Sequence, residues 1–215
     1  MGDPSDDPSG IECRAPPCGG HRESNSRPVH PTPVTKALQL FLFRHAKSSW
    51  DQPDLIDHDR PLNDRGIKAA TLMGAEMAER ALAPELVVCS TSTRTRQTLE
   101  RWLMASKMAP EIIFAKDLYH ASPSVMLDIV KKIAPGHGSV MLLGHNPGME
   151  QFAMQIAADL SSKAAKSMME KFPTAALAVF DLPNKSWADM EPGTGTLTCY
   201  LTPRQLISEN SFAEI

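Results

Sequence analysis

Ala37–His45 reads ALQLFLFRH, six apolar residues in seven followed at once by a cation and an imidazole. A run this short, broken only by Gln39, fits a strand buried on both faces. The same grammar returns further along. Leu86–Cys89 (LVVC) leads into Ser90-Thr91-Ser92-Thr93-Arg94, and Val140–Leu143 (VMLL) leads into Gly144-His145-Asn146-Pro147. Ile112–Phe114 is another short run, and Ala175–Leu182 and Thr196–Leu201 read as two closing strands. Helical segments lie between them. One starts at Asn63 or Asp64 and runs to about Leu82, with Ala69, Leu72, Met73, Met77 and Ala81 at helical spacing. Others run from about Arg94 to Met108, from Ser122 or Ser124 to Lys132, and from Pro147, well suited to a first helical position, to about Asp159. Strands alternating with helices predict an α/β fold with a mostly parallel central sheet and helices on both faces. The connections are short and leave no room for a large lid insertion.

Outside this body the composition changes. Of 215 residues, the first 36 hold seven of the 18 prolines, only seven members of the apolar set and no aromatic residue. That is too little to build a core, so residues 1–36 are expected to be a disordered, Pro-rich tail. Residues 37–205 have the size of one domain, and 206–215 read as a C-terminal tail.

Charge and hydropathy exclude several partners. A net charge of −3 gives no electrostatic footprint for nucleic acid. No apolar run approaches the roughly 20 residues of a membrane span. The N-terminus has no signal-peptide core, and Asp6 stands where a myristoylation motif needs Ser or Thr. A cytoplasmic location is the expectation by absence of targeting signals. Cys89 and Cys199 sit in strand-like contexts as small buried hydrophobes. Cys13, Cys18, His21 and His30 do not have the spacing of a zinc site. No metal or other cofactor is expected, and the sequence carries no signal for an oligomeric state.

In open α/β sheets ligands bind beyond the carboxyl ends of the strands. That rule selects Arg44-His45, Ser90–Arg94 and His145-Asn146. Arginine offers phosphate a planar, permanently charged fork, and a neutral imidazole is nucleophilic near pH 7. Ser90–Arg94 also precedes a helix whose N-terminus favours an anion. No Walker loop or kinase signature is present, so nucleotide-driven transfer is not supported. Each pair taken singly has an ordinary explanation: Arg-His at a helix end or surface, Asn146 as a helix cap. Their coincidence after buried strands is the argument, because a charged pair is costly to place there for packing alone.

Four segments, Leu40–Trp50 (LFLFRHAKSSW), Asp57–Gly66 (DHDRPLNDRG), Ser90–Thr98 (STSTRTRQT) and Leu142–Met149 (LLGHNPGM), resemble the histidine phosphatase (phosphoglycerate-mutase-like) superfamily, and its SixA-like phosphohistidine phosphatases most closely. The resemblance covers about residues 38–200. It implies that His45 is a nucleophile that becomes phosphohistidine, that Arg44 and Arg94 hold the phosphate, and that His145 completes the pocket. Arg60 would extend the positive pocket or else flank the helix, and Ser90 and Asn146 would line the substrate. Asn63 and Gly66 are read as cap and turn residues.

Two departures bear on chemistry. Ala46 stands where much of the superfamily has Gly, which requires only that the backbone there avoid positive φ. The general acid is open, with Asp117 and His120 in the segment after the third strand and Asp51 after the nucleophile as candidates. Esters expel an alkoxide that benefits greatly from a positioned acid, whereas imidazole departs readily, so weak acid provision favours N–P substrates. An open pocket suits a phosphorylated protein side chain, and a mutase would need a closed site. The expectation is a metal-independent phosphatase acting on protein phosphohistidine. The alternatives are a phosphatase of a small phosphoester and a catalytically weak phospho-binding module.

Overall fold

A computed structural model describes residues 37–133 and 135–213. The expected tail 1–36, with Cys13, Cys18, His21 and His30, lies outside the described residues. Six strands, β1 (Leu38–Arg44), β2 (Leu86–Ser90), β3 (Glu111–Ala115), β4 (Ser139–Gly144), β5 (Leu177–Leu182) and β6 (Thr196–Leu201), form one sheet in the order β3-β2-β4-β1-β5-β6. β1 runs parallel to β4, and β2 runs parallel to both β4 and β3, while β5 and β6 join antiparallel. The sheet is therefore mostly parallel, as expected.

Strand alternation divides the core in two. Leu38, Leu40 and Leu42 face a cluster with Met126, Phe152 and Met168, contributed by α3 (Pro123–Lys131), α4 (Gly148–Ile156) and α5 (Lys163–Glu170). Phe41 and Phe43 face the other cluster with Met73, Met77 and Trp102, from α1 (Asp64–Glu79) and α2 (Thr93–Ser106). Helices thus cover both faces, and β1 is buried on both because it sits between β4 and β5.

Local chemistry sets the helix starts. The Oδ1 atom of Asn63 accepts from Gly66 N at 2.9 Å, and the hydroxyls of Ser92, Ser122 and Ser162 cap α2, α3 and α5 in the same way. Gly66 lies inside α1, not in a turn as expected. A Cβ there would stand 2.1 Å from Lys47 O, so glycine lets the loop after β1 lean on the helix. α4 begins at Gly148 rather than Pro147 and has no side-chain cap, which corrects the cap reading of Asn146.

The expected C-terminal tail from 206 is instead part of a helix, α6 (Pro203–Ala213), with Leu206 2% exposed in the core. Its start is a capping box. Thr202 Oγ1 accepts from Gln205 N at 3.4 Å, and Gln205 Oε1 accepts from Thr202 N at 3.0 Å. No lid stands over the strand ends among the described residues, and none of their helices is long and apolar enough to cross a membrane.

Candidate active site

Parallel pairing of β1 with β4, in register at Arg44 and Gly144, carries His45 and His145 out of the sheet side by side. The ladder continues one step as His45 N donates to Gly144 O at 3.0 Å. Their rings lie 5.0 Å apart between centroids, and both residues are buried, at 8% and 1% exposure. His45 Nδ1 is 2.7 Å from Ala46 O. A carbonyl only accepts, so Nδ1 carries the proton and Nε2 keeps its lone pair. Ala46 is itself pinned, since its N donates to Thr98 Oγ1 on α2 at 3.0 Å. His145 Nε2 meets Ser90 Oγ at the end of β2, 2.9 Å away, and its Nδ1 is buried with no hydrogen-bond partner among the described residues.

Burial decides the charge of this pair. Desolvation, with the Arg94 and Arg44 charges behind it, lowers His45 to about 3. His145 is lowered to about 2 by desolvation, then by His45 and Arg94. Both imidazoles are neutral at neutral pH, which is the state a nitrogen nucleophile needs.

Arg94, in the first turn of α2, is 3% exposed. Its guanidinium grips one residue of the loop after β1: Nη1 donates to Asp57 O, and Nη2 to Asp57 Oδ2 at 2.8 Å. The same Oδ2 accepts from Tyr119 Oη at 2.7 Å and lies 3.3 Å from His120 Nε2, while Oδ1 accepts from Arg60 Nη1 at 3.0 Å. Desolvation pushes the Asp57 carboxyl up, but hydrogen bonds from Tyr119, Arg94 and His120 outweigh it and hold it well below the usual carboxylate range. Tyr119 packs edge-on against His145 at 5.2 Å, and His120 stacks on His145 at 5.1 Å and 30°. Asp57 and Tyr119 are thus central members of the cluster, and neither stands out in the sequence.

The remaining candidates separate. Arg44 follows the opposite face of β1. Its Nη1 donates to Phe172 O at 2.6 Å, and its Nε is buried without a partner among the described residues. Burial lowers its pKa against the raising effect of Glu150 and Tyr200. Arg60 is 6% exposed with its nitrogens engaged: Nε and Nη2 bond Ser49 O, Nη2 also Ser48 Oγ, and Nη1 Asp57, while Trp50 covers the guanidinium with its ring centroid 3.1 Å from Cζ. It braces the loop and reaches the cluster only through Asp57. Asn146 turns to Glu150 Oε2 at 2.8 Å and Phe172 O at 3.1 Å. Asp51 accepts from Ser49 Oγ at 2.7 Å, away from the histidine pair, and lines a cavity of about 280 Å³ with Arg60, Leu55 and Asn63. Asp117 is exposed in the 3-10 turn Lys116–Leu118. Of the three expected acids, hydrogen bonds and ring contacts place only His120 in the cluster. No group of three His, Cys, Asp or Glu among the described residues is arranged to hold a metal ion.

Known proteins resemble this chain in sequence and in fold. The model of the histidine phosphatase superfamily (branch 1) matches residues 40–119. An uncharacterised protein of Mycobacterium tuberculosis (strain H37Rv) is 35% identical over 165 residues, covering 75% of this chain and all of its own. A chloroplastic protein of Arabidopsis thaliana is 32% identical over 133 residues, covering 55% of this chain and 59% of its own. Two solved structures also align whose names assign them provisionally to phosphohistidine phosphatase SixA. The one from Agrobacterium tumefaciens has a TM-score of 0.64 and 30% identity, over 78% of this chain and 99% of that one. The one from Nakamurella multipartitia has a TM-score of 0.67 and 28% identity, over 78% and 96%.

Proposed function

We propose, from the premise that this chain belongs to the histidine phosphatase superfamily and to its SixA-like branch, that it is a metal-independent phosphatase working through phospho-His45 on protein phosphohistidine. The observation that carries the reading is the buried, neutral His45–His145 pair beside the 3%-exposed Arg94 guanidinium. The Nε2 lone pair of His45 attacks phosphorus, Nδ1 staying bonded to Ala46 O. Within the pair, the buried Nδ1 of His145 has no hydrogen-bond partner among the described residues. With the Ser90 hydroxyl donating to Nε2 of His145, Nδ1 of that ring becomes a donor to a phosphoryl oxygen, while Arg44, turned to Phe172 O, acts on His45 through its charge. Arg94 adds fixed positive charge to the transferring group. The site lacks a lid among the described residues, and Trp50 and Ile56 on the neighbouring loop are 72% and 66% exposed. That open, apolar margin suits a protein surface better than a small phosphoester, and the SixA name of the two aligned structures points the same way.

The test uses a phosphohistidine peptide and p-nitrophenyl phosphate without metal, trapping acid-labile phosphoenzyme. Wild type should form it and His45→Ala should not, with activity down at least about a thousandfold. Full activity in His45→Ala would sink the mechanism, and turnover of small esters alone would sink the protein substrate.

A further inference from the structure

We propose that His120 is the acid that protonates the departing group and the base that later activates water; this rests on the phospho-His45 reading. Its ring stacks on His145 at 5.1 Å, and His145 in turn contacts His45, so His120 lies against the reacting pair. It is held there. Nε2 lies 3.3 Å from Asp57 Oδ2, and the neighbouring Tyr119 ring packs edge-on at 4.4 Å. The backbone adopts φ +51°, a left-handed conformation that most side chains avoid and that marks a constrained position.

The other groups around the pair are poorly suited to give a proton. Asp57 holds its carboxylate with four donors from Arg94, Tyr119, His120 and Arg60. The proton of Tyr119 is directed at Asp57, and the two buried histidines are neutral. His120 differs in being 49% exposed on its side chain, so it can exchange protons with water and meet an incoming substrate. In its protonated form both ring nitrogens donate. With Nε2–H on Asp57, Nδ1–H serves the leaving group.

The two steps balance. In the first, the N–P bond to His45 forms, the bond from phosphorus to the leaving oxygen or nitrogen breaks, and the Nδ1 proton passes to that atom, leaving His120 neutral. In the second, water attacks phosphorus and gives one proton to His120. The N–P bond breaks, and inorganic phosphate leaves with His45 neutral and His120 recharged. The arrangement supplies by imidazole the proton that the sequence left without a clear carboxylate donor.

The experiment measures phosphoenzyme formation across aryl phosphates of decreasing leaving-group acidity, in wild type, His120→Gln and His120→Asn. Asn tolerates the left-handed backbone, and thermal melts run in parallel confirm folding. Both variants should lose at least about tenfold more on the poorest leaving group than on p-nitrophenyl phosphate. An equal loss along the series, or no loss, would overturn the assignment while leaving phospho-His45 standing. A wild type that forms no phosphoenzyme would remove the site reading and this assignment together.

Discussion

His45 and His145 are bases whose charged forms the fold disfavours, and that has a measurable cost in acid. Each imidazole would take up a proton near pH 6.5 in the unfolded chain but only near about 3 and about 2 in the folded one. Between pH 6.5 and about 3 the unfolded state therefore binds more protons, and stability must fall as pH falls. Each ring contributes up to about 1.4 kcal/mol per pH unit in that window. Urea unfolding at pH 7, 5.5 and 4.5 should show this decline, and His145→Gln should reduce its steepness by about one proton. An unchanged slope in that variant would mean that His145 is charged in the folded protein. Asp57 enters only the lower part of this window, because a carboxyl held low begins to lose its contribution as pH nears its unfolded value of 3.8, so the decline between pH 7 and 5.5 is free of it.

The strand ends are legible in the sequence because a buried strand of a parallel sheet is a near-continuous apolar run, and a cation or imidazole after it marks where it surfaces. β1, β2 and β4 all announce themselves in this way. Asp57 and Tyr119 are not legible for the opposite reason: both belong to irregular segments where polar residues are unremarkable, and only the fold brings positions 57, 94 and 119 together. Arg60 reads as part of a positive pocket because charge alone does not reveal that its donors are taken by loop carbonyls and Asp57. α6 could have been found from Thr202-Pro203-Arg204-Gln205, whose threonine and glutamine spacing is a capping-box signature.

One junction joins two of these elements. Gly148, at the start of α4, would put a Cβ 1.9 Å from Ala121 O, the residue after His120. Gly148→Ala must push the 119–121 segment away from the turn holding His145, and should cost about 2 kcal/mol of stability together with activity. Gly138→Ala is the comparison. Its Cβ would meet Glu85 at 3.5 Å, ordinary contact, and its melting temperature should stay close to wild type. If the two variants melt alike, the close approach does not hold the site.

At the scale of the molecule, residues 37–213 supply two core clusters, a covering layer on each face of the sheet and the histidine pair. β1, which opens this region, is also the strand that carries His45 and pairs on both sides with β4 and β5. Its first pairings, Leu38 with Leu182 and Gln39 with both Ser139 and Asp181, place the strand inside the sheet from the start of the described residues. The apolar content supports the same division, because the Pro-rich residues 1–36 contain no aromatic side chain with which to extend either cluster. A chain beginning at Thr35 should therefore melt within about 2 °C of the full-length protein, a difference of at most about 1 kcal/mol for a domain this size, and should form phosphoenzyme at the same rate. A matched melting temperature with lost turnover would give residues 1–34 a part in binding substrate. A lowered melting temperature would instead make them part of the folded body, and the domain would have to be redrawn to include them.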